Sequence, residues 1–373
     1  MSTATAAIPA QLRLATFDDY EQIVRVESSN QLGSLHRQDW QNLWLKNPLW
    51  PRVEHDWQIG WVLENAEGRV VGSLINVPSL YTFRGQQLLC ANGRGWAVEP
   101  EYRPFALALM GEYFGQSNVD LFINTTVGPN AAPIISTLSD RIPQGDFQST
   151  AYFALYYREL AEKALRRKRV PLASMLAYPA AAVLRCKDAW RRRALKPAPS
   201  SFSIECVDDF DARFDDFWAE LASQNSDKLL AVRNRAALAW HFAIPQRKGD
   251  LRIFTASRVG KLRAYCIVKR QDAGEGVSRM RVVDFQTVEP NIDLLAGLLK
   301  VALRRCAKDG IRVLEHLGVG LPKMRTFDRF APYRRTLACW PFYYRAVDPT
   351  LDAELSTPDF WDASVFDGDA SFE

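Results

Sequence analysis

Cysteine, histidine and long apolar runs are scarce in this 373-residue chain, and each scarcity closes off a class of function. The six cysteines (Cys90, Cys186, Cys206, Cys266, Cys306 and Cys339) are scattered without a Cys-x-x-Cys pair. That excludes a disulfide scaffold and a thiolate zinc module, and it reads as buried free thiols of a reducing compartment. The four histidines, His36, His55, His241 and His316, show no pairing at metal-ligand spacing, so no metal is expected. There is no Walker loop, no Gly-x-Ser-x-Gly elbow and no complete dinucleotide fingerprint. Residues Met1–Ala10 carry neither a charged n-region nor an apolar h-region, which predicts a flexible start over 1–10 and a cytoplasmic protein.

What is present is enough chain for two cores of roughly 150 residues each. A shift in composition marks the boundary. Residues 158–200 hold twelve Lys/Arg against three acids, a charge of +9, so the remainder of this +4 chain is −5. Between the two basic clusters lies the apolar stretch Val170–Leu184, interrupted by Pro171 and Pro179 and too short and too broken to span a bilayer. A segment that runs basic, apolar, basic suits peripheral contact with an anionic membrane. The plainer expectation is a pair of inter-domain helices whose apolar sides pack on the two cores, with the charges solvated. Nucleic acid is not expected as a partner, because aromatic interleaving is sparse and no zinc spacing, helix-turn-helix or RNA-binding signature accompanies the charge. The organisation that follows is 1–10, 11–157, a basic helical linker over 158–200, 201–347, and an acidic tail over 348–373.

The run Gly95-Trp96-Ala97-Val98-Glu99-Pro100-Glu101-Tyr102-Arg103-Pro104-Phe105-Ala106-Leu107-Ala108-Leu109 reads as a strand that breaks at Pro100 and restarts as a small-residue helix. Such a join leaves backbone N–H groups unpaired and aims the positive end of a helix dipole at whatever sits there, which suits a pyrophosphate. Around it, Leu12–Leu14 reads as a strand, followed by a Thr16 N-cap with acids in the first helical turn and apolar Ile23, Val24 and Val26. Two strands flank the turn Asn65-Ala66-Glu67-Gly68, a third covers Gln86–Cys90, and Val119–Thr126 is a β-branched, aromatic strand after which Asn130 opens a second helix.

These residues resemble the acyl-CoA loop of the GNAT acetyltransferases, Gln/Arg-x-x-Gly-x-Gly/Ala after a strand ending in Val-x-Pro-x-Tyr-Arg. Arg103, Ala106 and Ala108 stand at the three signature positions, and Val98, Pro100 and Tyr102 match the lead-in. Ala106 departs from the family's glycine, and its methyl group narrows the approach of a phosphate. The resemblance covers about residues 10–150. A second landmark, Gly128-Pro129-Asn130-Ala131-Ala132-Pro133 followed by Gly145-Asp146-Phe147, resembles a diverged copy of the family's Asn-x-x-Ala-x-x-x-Tyr helix. Pro133 and Thr137 replace the alanine and the tyrosine that in many members protonates the leaving thiolate.

The second half repeats the element order: Asp208-Asp209-Phe210 before a Phe- and Trp-rich helix, strands Leu251–Ala256 and Leu262–Lys269 around Val259-Gly260-Lys261, strand Met280–Thr287, and a helix with Leu294, Leu295, Leu298, Leu299, Ala302 and Leu303 on its apolar face. Its strand-to-helix join Val288–Asp293 has no small-residue loop and two acids, which would repel pyrophosphate. The fold class is therefore α+β, two tandem GNAT-like domains, each a mixed, mostly antiparallel sheet flanked by helices, the second without a cofactor loop. The arrangement also resembles the two-lobed aminoacyl transferases of peptidoglycan cross-bridge synthesis. After Arg345 the chain carries eight acids and no base. The closing Trp361–Ser371 resembles a tail of tandem acetyltransferase-like proteins from bacterial surface-polysaccharide clusters. Asp367-Gly368-Asp369 lacks the ligand positions of a calcium loop, so the tail is expected to dock on the basic linker or stay solvated.

The resemblance implies an N-acyltransferase that moves an acetyl or other acyl group from acyl-CoA to an amine, with acetyl-CoA bound by Val98, Arg103, Pro104, Phe105, Ala106, Leu107, Ala108 and Asn130. The thioester carbonyl would face a backbone N–H of the strand ending at Val98, and a splay between that strand and Val119–Asn124 would admit the acceptor. No catalytic base is singled out among Glu99, Asn92 and Asn124, and Tyr102 reads as packing beside the loop. The acceptor implied is a small-molecule or lipid-linked amine such as an amino sugar. Two other readings stay open: a non-catalytic scaffold or glycan-binding protein of this fold, and transfer from aminoacyl-tRNA, which the +9 segment would serve.

Overall fold

The computed structural model describes residues 9–143, 148–193, 195, 197–272, 276–289, 291–317, 329–336 and 341–372, the side chain of Ile292 apart. The landmark Gly145-Asp146-Phe147 and Cys339 lie outside the described residues. The chain begins with β1 (Ala10–Leu14), whose end is tied by Asp19 accepting from the Thr16 N–H at 2.8 Å, and enters α1 (Tyr20–Ser29). Then come α2 (Arg37–Leu45), α3 (Trp50–Val53), β2 (Gly60–Asn65), β3 (Val70–Phe83) and β4 (Gln86–Val98). They are followed by α4 (Ala106–Phe114), β5 (Leu121–Asn124), α5 (Ala132–Leu138), β6 (Asp140–Arg141) and β7 (Ser149–Ala154). A helical hairpin, α6 (Tyr157–Arg167) and α7 (Ala173–Arg192), leads into β8 (Ser203–Val207), α8 (Arg213–Gln224), β9 (Leu230–Ala231), α9 (Arg235–His241) and α10 (Ala243–Arg247). The last elements are β10 (Leu251–Arg258), β11 (Lys261–Arg270), β12 (Arg279–Thr287), α11 (Ile292–Lys308), β13 (Val313–Leu317), β14 (Tyr333–Thr336), β15 (Tyr343–Ala346) and α12 (Pro349–Leu355).

The expected class is what the chain adopts: two mixed sheets flanked by helices. The first runs β1-β2-β3-β4-β5-β15-β6, with β9 pairing β3, and the second runs β14-β7-β13-β12-β11-β10-β8. In the first sheet β4 and β5 are parallel, and in the second so are β12 and β13, while the other pairings are antiparallel. The two sheets are thus built to one plan. They also exchange strands: β7, grouped by sequence with the first unit, lies beside β13, and β15, grouped with the second, lies beside β5. Each sheet is completed by a strand from the other half of the chain, so neither half can bury its own sheet edge alone.

The tail departs from its expectation. From Trp361 to Phe372 it is neither solvated nor laid on the basic linker but buried between the sheets, with Trp361, Val365, Phe366 and Phe372 all under a tenth exposed. One apolar cluster joins Tyr81, Leu88 and Ile123 of the first sheet, Phe210, Phe214 and Phe217 around α8, Tyr265 and Ile267 of the second sheet, and the tail aromatics. Burying each such side chain stabilises by about 1.5–3 kcal/mol, more than solvation of a short acidic segment can return.

The tail's Asp367 enters the interior with partners. Arg233, fully buried, lies 3.0 Å from Asp284 on β12 and 3.6 Å from Asp367, beneath the ring of Phe366. Tyr265 donates to Asp284 at 2.7 Å, Tyr81 donates to Asp367 at 3.0 Å, and the Ser364 hydroxyl donates to Asp284 at 3.1 Å. Burial pushes the Asp367 carboxyl above its ordinary value, while Arg233 opposes that rise.

The linker region is a pair of helices, α6 and α7; of the two prolines that interrupt its apolar stretch, Pro171 precedes α7 and Pro179 lies within its 20 residues. Arg233→Ala would leave two buried carboxylates without their cation and should cost about 3–5 kcal/mol in urea denaturation. Arg305→Ala, which removes an exposed pair with Asp309, should cost about 0.5 kcal/mol. Equal losses would show that the buried network does not carry the fold.

Candidate functional site

The site begins where two parallel strands part. β4 and β5 are in register only from Cys90↔Leu121 to Asn92↔Ile123, and beyond that β5 ends at Asn124 while β4 continues to Val98. On its other edge β4 stays paired with β3 as far as Gly72↔Val98. From residue 93 on, no described strand pairs with β4 on its β5 side, which is the opening expected from sequence. The register also slips between Ser73↔Ala97 and Ile75↔Arg94, placing a bulge at Gly95 and Trp96. Gly95 takes φ +65°, a backbone conformation that favours glycine, and a Cβ there would also displace the carboxylate of buried Glu27, 2.2 Å away.

After Val98 the join is tighter than an open loop. Pro100–Phe105 forms a 3₁₀ turn in which the Tyr102 N–H donates to the Glu99 carbonyl and the Ala106 N–H to that of Arg103, while Pro100 and Pro104 have no N–H to offer. Fewer donors are free than the sequence suggested, because the two prolines favour a wound turn at this point. Arg103, Pro104 and Phe105 fall in that turn, and Ala106, Leu107 and Ala108 form the start of α4. Arg103, Pro104, Leu107 and Ala108 are exposed, Phe105 and Ala106 half-buried, and Val98 buried. Among the described residues the Arg103 guanidinium has no ion-pair partner. It stands where the α4 dipole presents its positive end, so a free cation and the dipole act on the same space. Tyr102 is buried and accepts from Asn65 at 3.3 Å, a packing role as expected.

Asn130 is placed differently from its neighbours in the sequence reading. It lies exposed in the turn before α5, which opens at Ala132 with Ala131 at the N-cap and runs for only seven residues. Pro133 falls in the first turn, where its missing N–H costs nothing.

The three strand-end polar residues also separate. Glu99 is held by Arg69 at 2.9 Å and Arg25 at 3.7 Å and serves as an ionic tie. Asn92 donates to the Val77 carbonyl at 2.8 Å and to Ser79 at 2.7 Å, which leaves it structural. Asn124 remains at the end of β5, buried, with its amide nitrogen unpaired among the described residues.

A residue that sequence reasoning missed lies at the splay. Asp369, on the tail, is 4 % exposed and accepts from Thr126 at 2.8 Å and from Thr125 at 3.0 Å, just past the end of β5; Arg94 of β4 stands 4.0 Å away. Burial pushes its carboxyl above the ordinary value, with Arg94 and the two hydroxyls opposing. Gly368 turns at φ +67° so closely over Thr125 that a Cβ would meet its hydroxyl at 2.4 Å. The signal in the sequence was an acid flanked by Phe366, Ala370 and Phe372, a setting that solvates poorly.

Behind Gly368 a cavity of ≈ 140 Å³ opens between the two halves, lined by Tyr81, Trp240, His241, Phe366 and Phe372 with Ser79 and Asn234 as polar points. His241 lies 2.6 Å from the Ser371 hydroxyl, and burial holds it well below the usual imidazole value, so it is neutral. The corresponding place in the second sheet is occupied differently among the described residues. Its parallel strands part after Arg281↔Glu315, and there the buried Glu315 binds Arg281 at 2.8 Å and also Arg335. Glu289, one of the acids expected at the second join, is paired with Arg258 and Arg263.

No family model matches the chain, and no curated protein matches it by sequence. Solved structures do match. A GCN5-related N-acetyltransferase from Anabaena variabilis is 13 % identical, aligned over 91 % of this chain and 73 % of its own, with a TM-score of 0.55. An Enterococcus faecalis protein described as a probable N-acyltransferase gives 13 %, 91 %, 73 % and 0.54. Saccharomyces cerevisiae N-myristoyltransferase, solved with bound myristoyl-CoA, gives 13 %, 92 %, 82 % and 0.51. At such identities the likeness is one of fold, and the fold of this protein is that of the GCN5-related N-acetyltransferases.

Proposed function

We propose that this protein is an N-acyltransferase that takes an acyl group from acyl-CoA, acetyl-CoA in the first instance, and places it on an amine. The observation that carries the reading is the splay itself: past Asn92 β4 runs on without β5 beside it, leads into α4 at one end and has the buried Asp369 carboxylate 4.0 Å from its Arg94 at the other. The residues present fit an acyl-CoA. Backbone N–H groups of the open β4 edge can hold a carbonyl and a pantetheine amide, while Arg103 and the start of α4 carry the charge for phosphates. Ala106 sets the closest approach there. The thioester supplies an activated acyl group; the chain supplies position, charge and a proton acceptor.

Within this reading the cavity behind Gly368 receives the acceptor, and its aromatic walls with two or three polar points suit an amine carried on a ring. An amino sugar of a surface-polysaccharide precursor is the acceptor we favour, on the tail motif's resemblance. Asp369 accepts the proton that the ammonium must lose before nitrogen can attack, and its raised pKa brings it toward that task. Thr125, Thr126 and Arg94 hold the carboxylate in place.

Two experiments check the reading. Isothermal titration with acetyl-CoA should show micromolar binding to the wild type and none to Ala106→Glu, whose carboxylate would face the phosphates. Binding that survives the substitution would move the donor elsewhere. In acyl transfer to an amino-sugar acceptor, Asp369→Asn should lower kcat by about 10²-fold or more while leaving acetyl-CoA binding intact. Because the base must be deprotonated, wild-type kcat/KM should fall as pH drops through an Asp369 pKa lying above the ordinary carboxylate value, and the residual rate of the variant should lack that limb. An unchanged acid limb in the variant would remove Asp369 from the mechanism.

A further inference from the structure

The helical hairpin α6–α7 carries an apolar face turned outward. Leu172, just ahead of α7, and Met175, Val183 and Trp190 within it are 71, 69, 68 and 70 % exposed, and Leu176 is 44 % exposed. With exposed Pro179 and Cys186 they fall at successive steps of three or four residues, which is one continuous stripe along a helix of about 30 Å. The opposite face is the one that packs. Ala173, Ala177 and Asp188 are buried, Asp188 accepts from Tyr157 of α6 and pairs with Arg192 at 2.8 Å, and Tyr333 of β14 donates to the Leu184 carbonyl at 3.1 Å. The hairpin is therefore anchored to the second sheet by its polar and small-residue side. The expectation that its apolar side would pack on the cores does not describe this stripe.

The stripe is bordered by cations. Between Arg158 and Arg193 the sequence holds eleven basic residues against three acids, and Lys168, Arg169, Lys187, Arg191 and Arg193 are exposed beside the apolar positions. Apolar side chains in the middle with Lys and Arg along the borders match the depth profile of a lipid monolayer, acyl chains below and anionic headgroups at the rim. Each Lys or Arg near an anionic surface contributes about 1 kcal/mol. A second copy of the chain fits less well, because a symmetric contact along the stripe would bring the same cationic borders together. Nucleic acid would leave the stripe uncovered. No helix among the described residues is long and apolar enough to cross a membrane.

We propose that the outward face of α7 docks flat on an anionic lipid surface, with Leu172, Met175, Leu176, Val183 and Trp190 in the headgroup–acyl boundary and the bordering Lys and Arg on lipid phosphates. This docking does not depend on the acyl-transfer reading, and the two fail separately. The test is co-sedimentation of the full chain with vesicles of phosphatidylcholine alone and of phosphatidylcholine mixed with phosphatidylglycerol, run beside sedimentation velocity without lipid. The wild type should bind the mixed vesicles, release as salt is raised, and remain monomeric without lipid. Val183→Glu with Trp190→Glu should weaken binding at least about tenfold, a change of about 1.4 kcal/mol, with an unaltered thermal transition because both side chains are exposed. Lys187→Glu with Arg191→Glu should weaken it comparably and reduce the salt response. Absence of binding to the mixed vesicles, binding that both variants retain, or a lipid-free dimer that the Val183/Trp190 variant abolishes would each overturn the proposal.

Discussion

Arg233 is the cation on which the two halves converge. Its guanidinium is buried between Asp284 of the second sheet and Asp367 of the tail, and Tyr81 of the first sheet reaches the same Asp367. Three parts of the chain far apart in sequence are thereby held at one point. Burying these charges is unfavourable unless each finds its partner, so the network fixes one arrangement of sheets and tail more than it adds stability. The exchanged strands β7 and β15 act in the same sense, because each sheet edge is completed only when the other half has folded.

Everything proposed for the site follows from that fixed arrangement. With Asp367 held, Gly368 must turn over Thr125, and Asp369 is delivered to the place where β4 and β5 part. The two sheets share a plan, but different groups stand where their parallel strands part. In the first, β4 runs on without β5 and the Asp369 carboxylate stands beside it. In the second, the last pairing carries a buried ion cluster of Glu315 with Arg281 and Arg335.

Part of this was legible in the sequence. The β4-to-α4 join could be read because it depends on local chemistry: a strand, a proline and a run of small residues. The repeated element order, with helices and hairpins marked by periodicity and turn residues, was readable for the same reason. The strand exchange was not, since pairing partners as distant in sequence as Ala154 and Val313, or Asn124 and Tyr343, leave no local trace. The tail misled because its acids outweigh its aromatics in a count of charge; what decides is that Asp367 and Asp369 have buried arginine and threonine partners that no window of sequence contains. Position at a strand end could not decide among Glu99, Asn92 and Asn124; for Glu99 it is Arg25 and Arg69, distant in sequence, that claim it. The wound turn at Pro100–Phe105 shows the converse: Pro104 removes an N–H and tightens a loop that the spacing alone suggested was open.

The central claim is that the donor lies along the open edge of β4 in the first sheet. Hydrogen exchange with and without acetyl-CoA reads this residue by residue in the full chain. Protection should appear in the amides of 93–98 and 103–108 and be absent from 282–289 of the second sheet. Protection at 282–289 in place of 93–98, or binding that protects neither, would contradict it.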